Sequence, residues 1–169
     1  MHFPAQTPPL FLYRVVAMLP APLVHPAHCQ LQLLLCGYLI ALEASDDQHH
    51  KPALAHWQSL SSHLPPLLTT NFVFGEVVTF FNSRNRHRKA VEIGKLLLES
   101  PTVKLVHIDE DLFSEAWGYF VQHTDKSYSL TDRASFIVMK RLRVRTALTF
   151  DKHFAQAGFE QKPEGNGLA

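Results

Sequence analysis

LLTTNFVFGEVVTFF, residues Leu67–Phe81, decides the fold. Leu67–Thr70 is a short apolar and β-branched run that predicts a buried strand. Thr70 or Asn71 can cap the helix that follows at once, because their side-chain oxygens accept hydrogen bonds from the first turn. Apolar residues surround almost the whole of that helix, so we expect it to be largely buried, with Glu76 inside it.

The same alternation of strands and helices extends in both directions along the chain. Further strands are predicted at LQLLL, VKLVHI, TALTF and GFEQ, and further helices at YLIALEA, from Asp46 or Asp47 onward, RHRKAVEIGKLLLES, DEDLFSEAWGYFVQH and TDRASFIVMKRLR. Trp57 and Trp117 lie on apolar stripes, so both are assigned to the core. Alternating strands and helices without a hairpin signal predict a parallel sheet covered by helices on both faces.

The composition is that of one globular domain. The 169 residues are 46% hydrophobic and 18% charged, and a formal net charge of +1 gives no global field toward nucleic acid. No stretch reaches the roughly 18 continuous apolar residues of a membrane span. Cys29 and Cys36 predict free thiols in a reducing compartment, the cytoplasm. We expect a poorly ordered, proline-rich extension over 1–30, a domain over 31–161 and a tail over 162–169.

Several acids are predicted to meet at one edge of the sheet. Asp151 directly follows strand TALTF, Asp132 opens the helix that leads into that strand, and Asp125 lies in the preceding loop. The functional site of such a sheet lies beyond the carboxyl ends of its strands. Because clustered carboxylates repel one another, a Mg²⁺ or Mn²⁺ ion would relieve the repulsion. Such an ion can activate water and stabilise charge on a phosphodiester.

Each of these acids also has a purely structural explanation. Asp132 could be a first-turn acid, with Thr131 or Ser129 as the helix cap. Asp151 could cap the turn that follows it, and Asp125 could be a solvated loop acid. Local sequence leaves these alternatives open.

Glu76 and the nearby basic residues raise a similar choice. A buried Glu76 requires a cation or an ion pair, for which Arg84 and Arg86 are the nearest candidates in sequence. The basic clusters at 84–89 and 140–145 are either solvated faces or phosphate contacts with salt-sensitive affinity.

Three segments together resemble the PIN domain, in the branch that includes VapC-type toxins: LLTTNFVFGEVVTFF, DKSYSLTDRASFIVMKR and ALTFDKHFAQAGFE. The resemblance covers residues 31 to about 161. It implies a three-layer α/β/α fold with a central parallel sheet. It also implies an endoribonuclease that uses Mg²⁺ or Mn²⁺ to cleave single-stranded RNA. A homodimer and a small antitoxin partner are further expectations from the resemblance.

The resemblance also assigns residue roles. Glu76, Asp132 and Asp151 correspond to the catalytic, metal-binding acids of the family. Thr131 resembles a hydroxyl that supports the site, and Asp125 is an outer member of the metal-binding set. None of these roles follows from spacing alone.

The sequence departs from the family at the end of the first strand. The family has Asp-Thr-Gly or Asp-Ser-Gly there, whereas this chain has Leu35, Cys36 and Gly37. Leucine cannot bind a hard cation, and a thiolate suits softer metals. Either the site is degenerate or the reading frame is wrong upstream of Gly37. A degenerate site would favour a non-catalytic RNA-binding or antitoxin-binding module. A plain nucleotide-binding domain is disfavoured, because the sequence lacks a glycine-rich phosphate loop.

Overall fold

The structure is a computed structural model that describes residues 30–60, 64–123 and 126–164. Asp125 and almost all of the predicted N-terminal extension lie outside the described residues, as does the end of the predicted tail. Within the described ranges, no helix has the length and apolar character needed to cross a membrane.

Five strands and seven helices make up the described part of the chain. The strands are β1 (Gln32–Leu34), β2 (Leu67–Thr70), β3 (Val103–Val106), β4 (Thr146–Leu148) and β5 (Glu160–Lys162). The helices are α1 (Cys36–Glu43), α2 (His50–Leu60), α3 (Asn71–Ser83), α4 (His87–Glu99), α5 (Glu110–Gln122), α6 (Leu130–Arg141) and α7 (His153–Gln156). The predicted three-layer α/β/α class with a central parallel sheet is confirmed.

The sheet has the order β3-β2-β1-β4-β5, and every neighbouring pair is parallel. The chain moves outward in one direction from β1 through β2 to β3, and then returns to the other side of β1 with β4 and β5. The direction therefore reverses between β1 and β4, and ligands bind at such a point in open α/β sheets. Leu35 and Asp151 follow these two strands.

Some element boundaries differ from the predictions by a few residues. Helix α2 begins at His50 rather than at Asp46 or Asp47, because Asp47 forms a turn in which its carboxylate accepts from the backbone N–H of His49 at 2.7 Å. Helix α1 already begins at Cys36, which shortens the predicted first strand. Strand β5 runs to Lys162, one residue beyond the predicted domain end.

The prediction for Trp57 was right and that for Trp117 was wrong. Trp57 is fully buried, whereas Trp117 is 51% exposed and stacks on Phe120. On α5 only Leu112 and Ala116 are buried. The apolar stripe of α5 is thus wider than the surface that α6 covers, and sequence periodicity does not report the width of the covering surface.

Helix α3 is also less buried than predicted. Its buried residues are Val73, Val77 and Phe81, which recur every four residues and so lie on one face. Glu76 lies off this face and is exposed. Other apolar residues of the helix are only partly buried, since they pack at the edges of the core rather than inside it.

Thr70 ends β2 and caps α3, and this junction yields a stability prediction. Its buried hydroxyl accepts a hydrogen bond from the backbone N–H of Val73 at 3.2 Å. Thr70→Val keeps the side-chain shape but leaves that N–H without its partner, so we expect a loss of about 1–2 kcal/mol in the free energy of unfolding, measured by urea denaturation. Thr79→Val, at an exposed position of the same helix, should change it by less than about 0.5 kcal/mol. Equal effects of the two substitutions would contradict the capping role.

Candidate metal centre

Asp132, Asp151 and His153 meet at the carboxyl end of β4. One ligand atom from each residue lies within 4.8 Å of the ligand atoms of the other two. Asp151 follows the strand and His153 begins α7, whereas Asp132 comes from the first turn of α6. The fold therefore brings two of the three predicted metal-binding acids together.

Asp132 is held in place by a reciprocal capping box with Ser129. The Ser129 hydroxyl accepts from the backbone N–H of Asp132 at 3.0 Å, while the backbone N–H and hydroxyl of Ser129 both donate to Asp132 Oδ2 at 2.8 Å. Within the described ranges, Oδ1 of Asp132 accepts no hydrogen bond and can face the cluster. Asp132 is therefore both a helix-cap residue and a member of the cluster.

The environment of Asp132 disfavours its charge. Burial, the largest cause, raises the pKa of Asp132 above its usual value; hydrogen bonds from Ser129 lower it in part, and the charge of Asp151 raises it again. A bound cation would relieve the repulsion between Asp151 and the partly buried Asp132.

Asp151 also combines two roles in its local structure. Its backbone N–H donates to the Thr149 hydroxyl at 3.0 Å, and its Oδ1 accepts from the backbone N–H of His153 at 2.9 Å. The turn-capping explanation is thus correct, yet it does not remove Asp151 from the cluster. The carboxylate is 44% exposed, so it remains accessible to a ligand.

Glu76 lies beside Cys36, and it forms no ion pair with an arginine in the part of the chain that the structure describes. Arg86 instead pairs with Asp46 at 2.8 Å, and Arg84 lies over the Phe80 ring. The predicted burial of Glu76 was wrong, and neither candidate ion pair forms.

The causes of the raised pKa of Cys36 show that the Glu76 carboxylate lies next to the thiol. The pKa of Cys36 is raised to about 12: burial is the largest cause, and the neighbouring Glu76 carboxylate and the charge of Asp132 contribute to the same rise. Glu76 and Asp132 therefore face the same thiol from two helices.

Leu35 is the residue that the resemblance sets against the family's first-strand aspartate. It is 3% exposed, its backbone N–H donates to the Leu148 carbonyl at 3.2 Å, and it stands at the N-cap of α1 without a side-chain hydrogen bond. The side chain packs into the apolar core and offers no ligand atom. An aspartate at the same backbone position would cap α1 and contribute a further carboxylate.

Sequence reasoning missed Arg133, which fixes the segment before α6. Its guanidinium is almost completely buried and donates to the backbone carbonyls of Tyr119, His123, Lys126 and Tyr128 at 3.0 to 3.3 Å. These bonds hold the chain leading to Ser129 against α5. An arginine following Asp132 looks like an ordinary surface charge in sequence, so no local signal indicated this role.

The Ser129 hydroxyl contacts Asp132, which confirms Ser129 as the helix cap between the two candidates. The supporting role of Thr131 stays a prediction. Asp125 lies outside the described residues, so its outer role stays a prediction too.

Known proteins resemble this chain in both sequence and fold. Residues 37–160 match the PIN domain family. The 23S rRNA-specific endonuclease VapC20 of Mycobacterium tuberculosis is 38% identical over 129 residues, which cover 76% of this chain and 95% of that protein. The crystal structure of VapC20, described as a sarcin-ricin loop cleaving toxin, matches with a TM-score of 0.69 and 34% identity over 76% of this chain and 95% of that one.

More distant structures share the fold alone. VapBC-1 from nontypeable Haemophilus influenzae has a TM-score of 0.56 at 12% identity, covering 78% of this chain and 96% of that chain. FitAcB from Neisseria gonorrhoeae has the same TM-score at 17% identity, covering 77% and 95%.

The raised pKa of Asp132 predicts a pH-dependent effect of Asp132→Asn. An acid whose folded-state pKa is raised contributes most stability below its unfolded value of 3.8 and loses that contribution as pH rises through the folded value. In a metal chelator at neutral pH we expect Asp132→Asn to have a higher melting temperature than the parent, and the difference to shrink below pH 3.8. Asp109→Asn, at the exposed cap of α5, should give no such gain. A difference independent of pH would contradict the electrostatic cause.

The Cys36 thiol predicts slow alkylation. A pKa of about 12 in place of 9.0 lowers the thiolate fraction at pH 8 about a thousandfold, so iodoacetamide should react correspondingly more slowly with the folded than with the denatured protein in a Cys29→Ser background. Glu76→Gln should accelerate the folded reaction, because it removes a negative charge near the thiol. An unchanged rate in Glu76→Gln would mean that Glu76 points elsewhere.

Proposed function

The chain belongs to the PIN domain family, and from that premise we propose that it is an endoribonuclease, the toxin of a toxin–antitoxin pair, that hydrolyses phosphodiester bonds of single-stranded RNA with Mg²⁺ or Mn²⁺. The proposal is carried by the meeting of Asp132 and Asp151 at the point where the strand order reverses. Both residues lie inside the family match at 37–160. The 38% identity to an rRNA-specific endonuclease supports RNA as the substrate class.

The donor set at the cluster fits a divalent cation. Asp132 and Asp151 offer the carboxylate oxygens that Mg²⁺ and Mn²⁺ prefer, and the raised pKa of Asp132 reflects burial and a repulsion that a cation would relieve. When bound, the cation supplies an activated water and stabilises charge on the scissile phosphodiester. Asp132 and Asp151 would hold it, with the Ser129 capping box orienting Asp132, and Glu76, beside Cys36 on α3, would contribute a third carboxylate.

Fewer basic residues are available to contact RNA phosphates than the two sequence clusters indicated. In the 84–89 cluster, Arg86, Arg88 and Lys89 form ion pairs with Asp46, Glu92 and Glu43. These pairs reduce the positive charge that the cluster offers to phosphates. Lys152 is exposed and directly follows Asp151, so we assign it a phosphate contact beside the cluster. Such contacts are independent of base sequence and weaken with salt.

The partner assignment rests on the exposed apolar face of α5. Phe113, Trp117, Phe120 and Val121 are between 38% and 55% exposed. An apolar surface of this kind is suited to a protein partner. We assign a small antitoxin as the partner and retain homodimerisation as a prediction. A free Cys36 and an RNA substrate are consistent with a cytoplasmic protein.

Leu35 favours a second function, a non-catalytic module that binds RNA or sequesters the antitoxin. Its side chain is buried and supplies no ligand, so the cation has lost a carboxylate that the resemblance places at the centre of the site. Because that loss lowers cation affinity without altering the fold, binding and catalysis can be separated experimentally.

Cleavage assays with Mn²⁺ or Mg²⁺ separate the two functions. The substrates are an unstructured RNA oligonucleotide and a stem-loop with the sarcin-ricin sequence. We expect the parent to cleave one of them, and Asp132→Asn and Asp151→Asn to reduce the rate at least about a hundredfold, since a cation's charge stabilisation is worth several kcal/mol. Leu35→Asp should increase the rate about tenfold or more at limiting cation.

Asp109→Asn is the matched control and should cleave like the parent. Cleavage by Leu35→Asp alone would identify the parent as a disabled nuclease. RNA binding with no cleavage by either protein would exclude the nuclease function and favour the binding module.

A further inference from the structure

The cluster at the end of β4 contains an imidazole that the family resemblance does not assign. His153 contributes a nitrogen to the group whose ligand atoms lie within 4.8 Å of one another, together with Asp132 and Asp151. Nitrogen from imidazole is a softer ligand than carboxylate oxygen. The donor set of this chain is therefore mixed, and it lacks the first-strand acid that Leu35 has replaced.

The ring of His153 is held in one orientation by its surroundings. Its backbone N–H donates to Asp151 Oδ1, which fixes the turn on which the ring is carried. The ring meets the edge of Tyr128 with a centroid distance of 5.0 Å, and its Nε2 lies 3.3 Å from the Ser127 hydroxyl. The Ser127 hydroxyl can accept a hydrogen bond from a proton on Nε2, so the contact is compatible with the tautomer whose lone pair on Nδ1 is free for a cation.

Nδ1 of His153 lies next to Asp151 at the cluster. The atom is buried and makes no hydrogen bond to any described residue, although it lies 3.1 Å from Asp151 Oδ1. Adjacent ligand atoms of an octahedral ion with bonds of about 2.1 Å lie about 3.0 Å apart. The spacing of Nδ1 and Oδ1 therefore matches two neighbouring ligands of one cation.

We propose that His153 Nδ1 is a direct ligand of the divalent cation, in an Asp132–Asp151–His153 site that binds Mn²⁺ in preference to Mg²⁺. The preference follows from the nitrogen, because Mg²⁺ is the harder ion and selects oxygen ligands more strictly than Mn²⁺ does. The nitrogen ligand partly compensates for the carboxylate lost at Leu35. This inference rests on the proposed function, since it names a ligand and a metal class for the same site.

Metal binding tests the inference without relying on activity. Mn²⁺ is titrated into the full chain at neutral pH, free Mn²⁺ is followed by electron paramagnetic resonance, and pulsed experiments on the bound ion detect coupling to nitrogen. We expect ¹⁴N coupling that is replaced by ¹⁵N coupling in protein grown with ¹⁵N-histidine. His153→Gln should lose the coupling and raise the Kd for Mn²⁺ about tenfold or more, with a smaller change for Mg²⁺.

The control is His107→Gln, at an exposed position after β3, which should retain the coupling and the parent Kd. The isotope experiment uses the unaltered sequence, so it remains decisive if His153→Gln folds poorly. Mn²⁺ binding that is lost in Asp132→Asn but shows no histidine nitrogen coupling would overturn the inference and leave the proposed cation site intact. Mn²⁺ binding unaffected by both Asp132→Asn and Asp151→Asn would overturn both.

Discussion

The parallel pairing of β1 with β4 is the constraint on which the site depends. Leu33 is in register with Ala147 and Leu34 with Leu148, and the Leu35 N–H extends the pairing to the Leu148 carbonyl. These bonds place the carboxyl ends of two strands side by side, although more than a hundred residues separate them in sequence. A shift in this register would move the residues after β1 relative to Asp151, whatever the side chains.

The position of Asp132 depends on a buried guanidinium, that of Arg133. Arg133 donates to four backbone carbonyls, and its burial is tolerated because four of the five N–H groups of the guanidinium are hydrogen-bonded. The same bonds hold the segment ending at Ser129, whose capping box orients Asp132. The position of Asp132 is therefore specified by a neighbour in sequence that points away from the cluster and into the gap between α5 and α6.

The sequence predicted backbone elements better than surfaces. The bounds of β2 were correct, because a short apolar run followed by a cap has one local interpretation. The exposure of Glu76 and Trp117 was predicted wrongly, since hydrophobic periodicity shows which face is apolar but not how much of it another element covers. Ser129 was one of two candidate caps in the sequence and is the N-cap in the structure. The contacts of His153 could not be predicted, because they depend on how a four-residue helix is oriented in three dimensions.

Leu35 sets a balance between stability without metal and affinity for metal. Burying a leucine side chain contributes about 1.5–3 kcal/mol, whereas an aspartate there would add a carboxylate near Asp132, whose charge is already disfavoured. Without a cation, leucine is therefore the more stabilising residue at this strand end. A bound cation would offset that repulsion, so an aspartate at residue 35 would make the stability of the folded state more dependent on the ion than leucine does. The chain as it stands folds around an apolar strand end at Leu35, and a cation at this site would be held by the remaining ligands alone.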